Sequence, residues 1–190
     1  KRGVLSSLPF LGPLHMLPSL AIYPHLGLRD KLAAAYGLYW LALAGLVANR
    51  LADGLDGEVA RLAGPTDRGA FLDIALDFLF YALFPLGFAI ADPATNALPA
   101  VVLVASFVGT GSSFLAFSII AERRGLTSED YPSKGIFYLG GLTEGAETIG
   151  LFVLICLLPG WFPALALVFA AACFVTTLTR WLAGWRLFGA

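Results

Sequence analysis

An all-α, polytopic membrane protein with six transmembrane helices and both termini in the cytoplasm is the fold class that this 190-residue chain predicts. Three observations carry it. The chain is 58% hydrophobic and only 13% charged, with a mean hydropathy of +0.81, whereas a soluble domain is about half apolar and about a quarter charged. The apolar residues run along the whole length and do not gather at one end, which argues against a secretory leader on a soluble domain. Turn and cap signals recur between the apolar runs, at 28–31, Gly64-Pro65-Thr66-Asp67, Asp92-Pro93, 128–133 and Pro159-Gly160.

About 20 mostly apolar residues cross the hydrocarbon as a helix, and six segments meet that measure. The first, 5–26, carries Pro9, Pro13, Pro18 and Pro24, which would kink any helix there, so part of it reads as an interfacial segment. His15 and His25 flank its second half and are too isolated for a metal pair. The second and third spans, 34–57 and 68–90, are joined by the Gly-Pro turn into a helical hairpin. The fourth, 97–121, follows Asp92-Pro93. The fifth, 135–158, holds Gly135, Gly140, Gly141, Gly145 and Gly150, which suit close helix packing. The sixth, 163–185, follows Pro159-Gly160. Trp40, Trp161, Trp181 and Trp185 near span ends read as interfacial anchors. No linker or soluble segment interrupts the series, so residues 1–190 read as one membrane-embedded domain. Lys1, not Met, opens the chain, so a natural start upstream is expected.

Orientation follows from the basic residues in the short loops. Lys1, Arg2, Arg61, Arg68, Arg123, Arg124, Lys134 and Arg186 fall on one side or its edge, and only Arg29 and Lys31 clearly on the other. Both termini, and the 62–67 and 122–134 connections, are therefore expected to face the cytoplasm. The expected location is the cytoplasmic membrane of a bacterium or archaeon. A net charge of -1 and a pI of about 6.1 give no support for a nucleic-acid partner. Cys156 and Cys173 sit in apolar runs and read as buried thiols, not as a disulfide or metal site.

Four carboxylates stand out against this background. Asp53 and Asp56 are three apart at the end of the second span, with Gly57 and Ala60 continuing the same face. Asp73 and Asp77 are four apart in the third span, with Gly69 one turn before them. Asp53 and Asp77 each lie twelve residues from Pro65, and Asp56 and Asp73 lie nine and eight away. Both pairs are then very roughly 10–15 Å in from the loop, so the four acids can converge on one pocket. A central Asp costs about 2.5–3.5 kcal/mol on insertion scales, less near the interface, and mutual repulsion adds to that. Arg50 and Arg61 cannot neutralise four charges, whereas two divalent cations can; all-oxygen ligands select Mg²⁺, Mn²⁺ or Ca²⁺ over zinc. Such a metal pair suits a phosphate or pyrophosphate substrate. Gly57, Ala60 and Gly69 would let a large ligand approach the backbone, and a carboxylate not fully engaged by metal can take a proton from an acceptor hydroxyl. The bland alternative is helix capping or pairing with Arg50, Arg61 and Arg68. That suits Asp67 at a helix start, and suits Asp73 and Asp77 poorly, since no basic residue lies within a turn of them.

These residues resemble the signature of the CDP-alcohol phosphotransferase family, Asp-x-x-Asp-Gly-x-x-Ala-Arg, about eight residues, then Gly-x-x-x-Asp-x-x-x-Asp. Asp53, Asp56, Gly57, Ala60, Arg61, Gly69, Asp73 and Asp77 supply it in order, with a seven-residue gap. Pro18-Ser19-Leu20-Ala21 departs from the Pro-Asn-x-x-Thr-like element that opens the first span in many members. The resemblance implies an enzyme of phospholipid biosynthesis that takes a CDP-linked alcohol, usually CDP-diacylglycerol, and passes its phosphoryl-alcohol group to the hydroxyl of a small alcohol or lipid acceptor, releasing CMP. It implies that Asp53, Asp56, Asp73 and Asp77 surround two divalent cations, Mg²⁺ or Mn²⁺, with Asp77 as general base. It further implies that Gly57, Ala60, Arg61 and Gly69 contact or make room for the CDP moiety, and that the chain forms a homodimer.

Outside the motif, Glu144 and Glu147 lie three apart in the fifth span. They are read either as lining an acceptor pocket, where they would hydrogen-bond hydroxyls or attract a cationic acceptor, or as pairing with Arg180 or Arg50. Lys134, Arg123 and Arg124 are candidates to bind a phosphorylated acceptor, or serve topology alone. Two other classes compete with phosphotransfer. A membrane prenyltransferase also binds pyrophosphate through Asp and Mg²⁺, but lacks the Gly-x-x-Ala-Arg and Gly69 spacing. A divalent-metal carrier is expected to show an inverted repeat, and the Asp motif is not repeated in the second half.

Overall fold

A computed structural model describes residues 39–51, 54–55, 62, 64, 66–126, 143 and 145–189. Among these residues every regular element is helical. The helices are α1 (39–51), α2 (Asp67–Ala91), α3 (Pro93–Arg123), α4 (Gly145–Leu157) and α5 (Phe162–Phe188), with a 3₁₀ turn at Pro159–Trp161 before the last. Among the described residues, three stretches are long and apolar enough to cross a membrane: Asp67–Ala91, Pro93–Arg123 and Pro159–Phe188. α4 is a shorter apolar helix, and α1 falls inside the second expected span. The expected first span, with His15 and His25, lies outside the described residues.

The sequence places each boundary by local chemistry. Gly64 takes φ +84°, a backbone region suited to glycine, in the turn before α2. Thr66 then caps α2, its hydroxyl accepting from Gly69 N at 3.2 Å. This corrects the expectation that Asp67 is the cap: Asp67 occupies the first turn instead, where its charge suits the helix N-terminus. α3 begins four residues before the expected 97, because Asp92 is already an N-cap, accepting from Thr95 N at 3.3 Å, with Pro93 in the first turn. α2 and α3 are thus separated by one residue. Gly125, at φ +66°, ends α3: Leu126 N donates to Ala121 O at 3.0 Å and Gly125 N to Glu122 O at 2.9 Å, the pattern of a Schellman close. Pro85 and Pro99 sit inside α2 and α3 without ending them, as is tolerated in membrane helices.

α3 is the central helix, packing against α2 on one side and most extensively against α5 on the other. Aromatic rings fill the core between α2, α3 and α4. Phe152 of α4 stacks on Phe84 of α2, centroids 4.2 Å apart and planes 13° apart, and meets Phe80, Tyr81 and Phe107 edge-on. Phe88 of α2 stacks on Phe162 of α5 at 4.6 Å and on Tyr39 of α1 at 5.1 Å. Cys156 and Cys173 are free and buried, as expected. Trp40, Trp161, Trp181 and Trp185 all point outward, which fits contact with lipid or its interface.

Candidate active site

α1 and α2 meet along one stripe each. On α1 the buried Ala42 and Leu46 are four apart, and Arg50 is the next position at that spacing. On α2 the stripe runs Asp73, Asp77, Tyr81, Phe84 and Phe88. The two helices run antiparallel, because Tyr39 stacks on Phe88 while Arg50 reaches Asp77, with Nη2 3.6 Å from Oδ1. Both pairs have residue numbers that sum to 127, so one register serves the whole contact. The aromatic end of this seam is buried. The charged end is more open, with the Arg50 and Asp77 side chains 28% and 38% exposed.

This register sharpens the sequence reading in two respects. Equal counts from Pro65 put Asp53 level with Asp77, whereas the described seam sets Arg50 level with it, three residues earlier on α1. The bland pairing discounted for Asp77 also exists. No basic residue lies near Asp77 along its own helix, but a guanidinium comes from the neighbouring one.

Asp73 and Asp77 lie one turn apart on the same face of α2, Asp73 exposed and Asp77 half-buried. Two carboxylates so placed suit a hard divalent cation, since their oxygens are the donors that Mg²⁺ and Mn²⁺ prefer. Among the described residues no three Asp, Glu, His or Cys side chains gather into a metal site. Asp53 and Asp56, which would complete the set, lie outside the described residues, as do Gly57, Ala60, Arg61, Glu144 and Lys134. Gly69 is described, and it has a local reason to lack a side chain. A Cβ there would come within 3.0 Å of the capping hydroxyl of Thr66. Glu147 lies in the first turn of α4 and is exposed.

Sequence reasoning treated Arg180 only as a counter-charge, yet it sits at the centre of a polar seam. It is 8% exposed, donates from Nη1 to Thr110 O at 2.8 Å and to Ser113 Oγ at 3.2 Å, and lies over the Phe114 ring at 5.5 Å. One turn away Thr143 donates to Thr176 Oγ1 at 3.2 Å. The sequence carries part of the signal, the hydroxyl-rich runs Thr176-Thr177-Leu178-Thr179 before Arg180 and Thr110-Gly111-Ser112-Ser113, but nothing in it pairs the two. Arg124, expected to serve topology or an acceptor, instead spans the end of α5, donating to Phe188 O at 2.8 Å and Leu187 O at 3.4 Å.

Similarity to known proteins identifies the family. The CDP-alcohol phosphatidyltransferase family matches residues 14–179, a stretch that contains every motif position from Asp53 to Asp77. The inner membrane protein YnjF of Escherichia coli (strain K12) is 54% identical over 146 residues, covering 77% of this chain and 71% of that protein. No solved structure is significantly similar. With long apolar helices, an inner-membrane relative and the family match spanning most of its length, the chain is an integral membrane transferase and belongs to the CDP-alcohol phosphatidyltransferase family.

Proposed function

We propose that this protein transfers the phosphatidyl group of CDP-diacylglycerol to the hydroxyl of a small alcohol, releasing CMP, as a step in making a membrane phospholipid. The observation that carries the reading is the eight-position motif inside the family match, with Asp73 and Asp77 one turn apart on a single face of α2. Family membership also favours phosphotransfer over a prenyltransferase or a metal carrier.

In this reading Asp53, Asp56, Asp73 and Asp77 hold two divalent cations, Mg²⁺ or Mn²⁺. Bound there, the cations would neutralise the pyrophosphate and the charge on departing CMP. The chain's residues do the rest. Gly57, Ala60, Arg61 and Gly69 seat the CDP moiety. Asp77 takes the proton of the acceptor hydroxyl as its oxygen bonds to the β-phosphorus. The bond from that phosphorus to the bridging oxygen breaks, and the oxygen leaves with CMP. Glu144, Glu147 and Lys134 shape the acceptor side. The site opens toward the cytoplasm, in keeping with the loop charges, and the working form is a homodimer, as the resemblance implies.

The test is CMP release from CDP-diacylglycerol by the purified protein, screened against inositol phosphate, glycerol phosphate, serine and choline, with the lipid product identified by mass. Release is expected only with Mg²⁺ or Mn²⁺. Turnover undiminished in excess chelator would sink the metal assignment. Asp77→Asn is expected to abolish transfer while CDP-alcohol binding persists, and near-normal turnover in that variant would remove Asp77 as the base.

A further inference from the structure

We propose that Arg50 is a built-in counter-ion that competes with the divalent cation for Asp77 and so sets how tightly the site holds metal. The inference rests on the proposed metal site and adds a residue outside the family motif. Three features support it. Arg50 continues the core-facing stripe of α1 beyond Ala42 and Leu46, so the helix delivers it to the seam with α2 and not to lipid. The Tyr39–Phe88 stack fixes the register that sets Arg50 level with Asp77. The guanidinium and the carboxylate are then 3.6 Å apart at the half-open end of that seam.

Charge counting gives the pair its role. Four motif aspartates carry four negative charges, and Arg50 offsets one of them while no metal is bound. Two divalent cations cancel all four, after which a guanidinium beside Asp77 is surplus and repels the ion that Asp77 must ligate. The same residue therefore steadies the empty site and weakens the filled one, leaving a guanidinium next to incoming pyrophosphate, with which it can form charge-assisted hydrogen bonds.

Mn²⁺ binding to the full chain in detergent or nanodiscs, followed by the electron paramagnetic resonance of free Mn²⁺, tests this without turnover. Arg50→Gln is expected to bind Mn²⁺ about tenfold more tightly than wild type, the scale of one charge several ångströms from a divalent ion in a half-exposed site. Arg50→Lys keeps the charge and should stay within about twofold of wild type. In an Asp77→Asn background the gain from Arg50→Gln should fall below about threefold, because the two residues act as a coupled pair. Without metal, Arg50→Gln should lower the unfolding temperature more than it does in saturating Mn²⁺. Unchanged or weaker Mn²⁺ binding in Arg50→Gln, or an equal gain in the Asp77→Asn background, overturns the role of Arg50. No saturable Mn²⁺ binding by wild type would instead overturn the metal site itself, and this inference with it.

Discussion

Gly111 offers a clean test of how α3 is held against the helix that carries the acids. Its backbone lies under the ring of Phe78, the residue after Asp77; a Cβ built on Gly111 would overlap that ring, with Cζ at 2.7 Å. Ordinary carbon contacts lie at about 3.5–4.0 Å, and Cε1 of the ring would be closer still than Cζ, so Gly111→Ala must push the ring or the helix by more than about 1 Å. Overpacking of this size costs typically 1–3 kcal/mol, and we take about 2 kcal/mol. Opposing it, alanine is the better helix former by up to about 1 kcal/mol in water. Part of that gain is absent here, because an unpacked span in lipid is already helical. Gly111→Ala alone should therefore destabilise by about 1–2 kcal/mol. The decisive quantity is the coupling to Phe78. In a Phe78→Ala background the ring is gone and Gly111→Ala should become neutral or mildly stabilising. The coupling of about 2 kcal/mol is independent of the propensity gain, which cancels across the cycle. Equilibrium unfolding of the four proteins in mixed detergent micelles measures it. A coupling below about 0.5 kcal/mol, the usual limit of additivity, would refute the close approach.

Two further outcomes follow from the packing. Phe152→Ala removes the ring at the centre of the aromatic core, and because lipid makes the transfer contribution small, the cavity dominates: about 100 Å³ at about 24 cal/mol per Å³ is roughly 2.4 kcal/mol. Phe152→Leu should recover most of it, and thermal unfolding in detergent reads both. Arg124→Gln removes two donors from the α5 terminal carbonyls and the contact with the Phe188 ring. At this exposed site it should cost about 1 kcal/mol and raise amide exchange selectively in the last turn of α5.

The helix positions were largely legible because turn chemistry is local. Asp92-Pro93, Gly64 and the Pro159-Gly160 break each act through their own backbone, and α2 falls within one residue of its expected bounds at both ends. The start of α3 was misjudged by giving weight to hydropathy over the capping aspartate. The acids of α2 were equally legible, since spacing of four on a helix is a property of one segment. The Arg50–Asp77 pair was not. Counting outward from Pro65 assumes a symmetric turn, whereas the rings of Tyr39 and Phe88 set the register. The partners of Arg180 were hidden for a different reason: Thr110 contributes a backbone carbonyl, which leaves no mark in residue type.

α2 is divided along its length, and the division explains where chemistry can sit. From Phe80 to Phe88 its inward residues are buried against aromatic rings of α1, α3, α4 and α5. From Asp67 to Leu79 most of its residues are exposed or half-exposed. A carboxylate on the packed half would face desolvation with no route for an ion to reach it. On the open half the same group keeps access to water and to soluble ligands, and is positioned by a helix whose other end is fixed. Asp77 stands one turn from Phe80, at the boundary between these regimes. There it is held by the packed half of its helix and still open to water, and the guanidinium that meets it from α1, Arg50, sits at the same boundary.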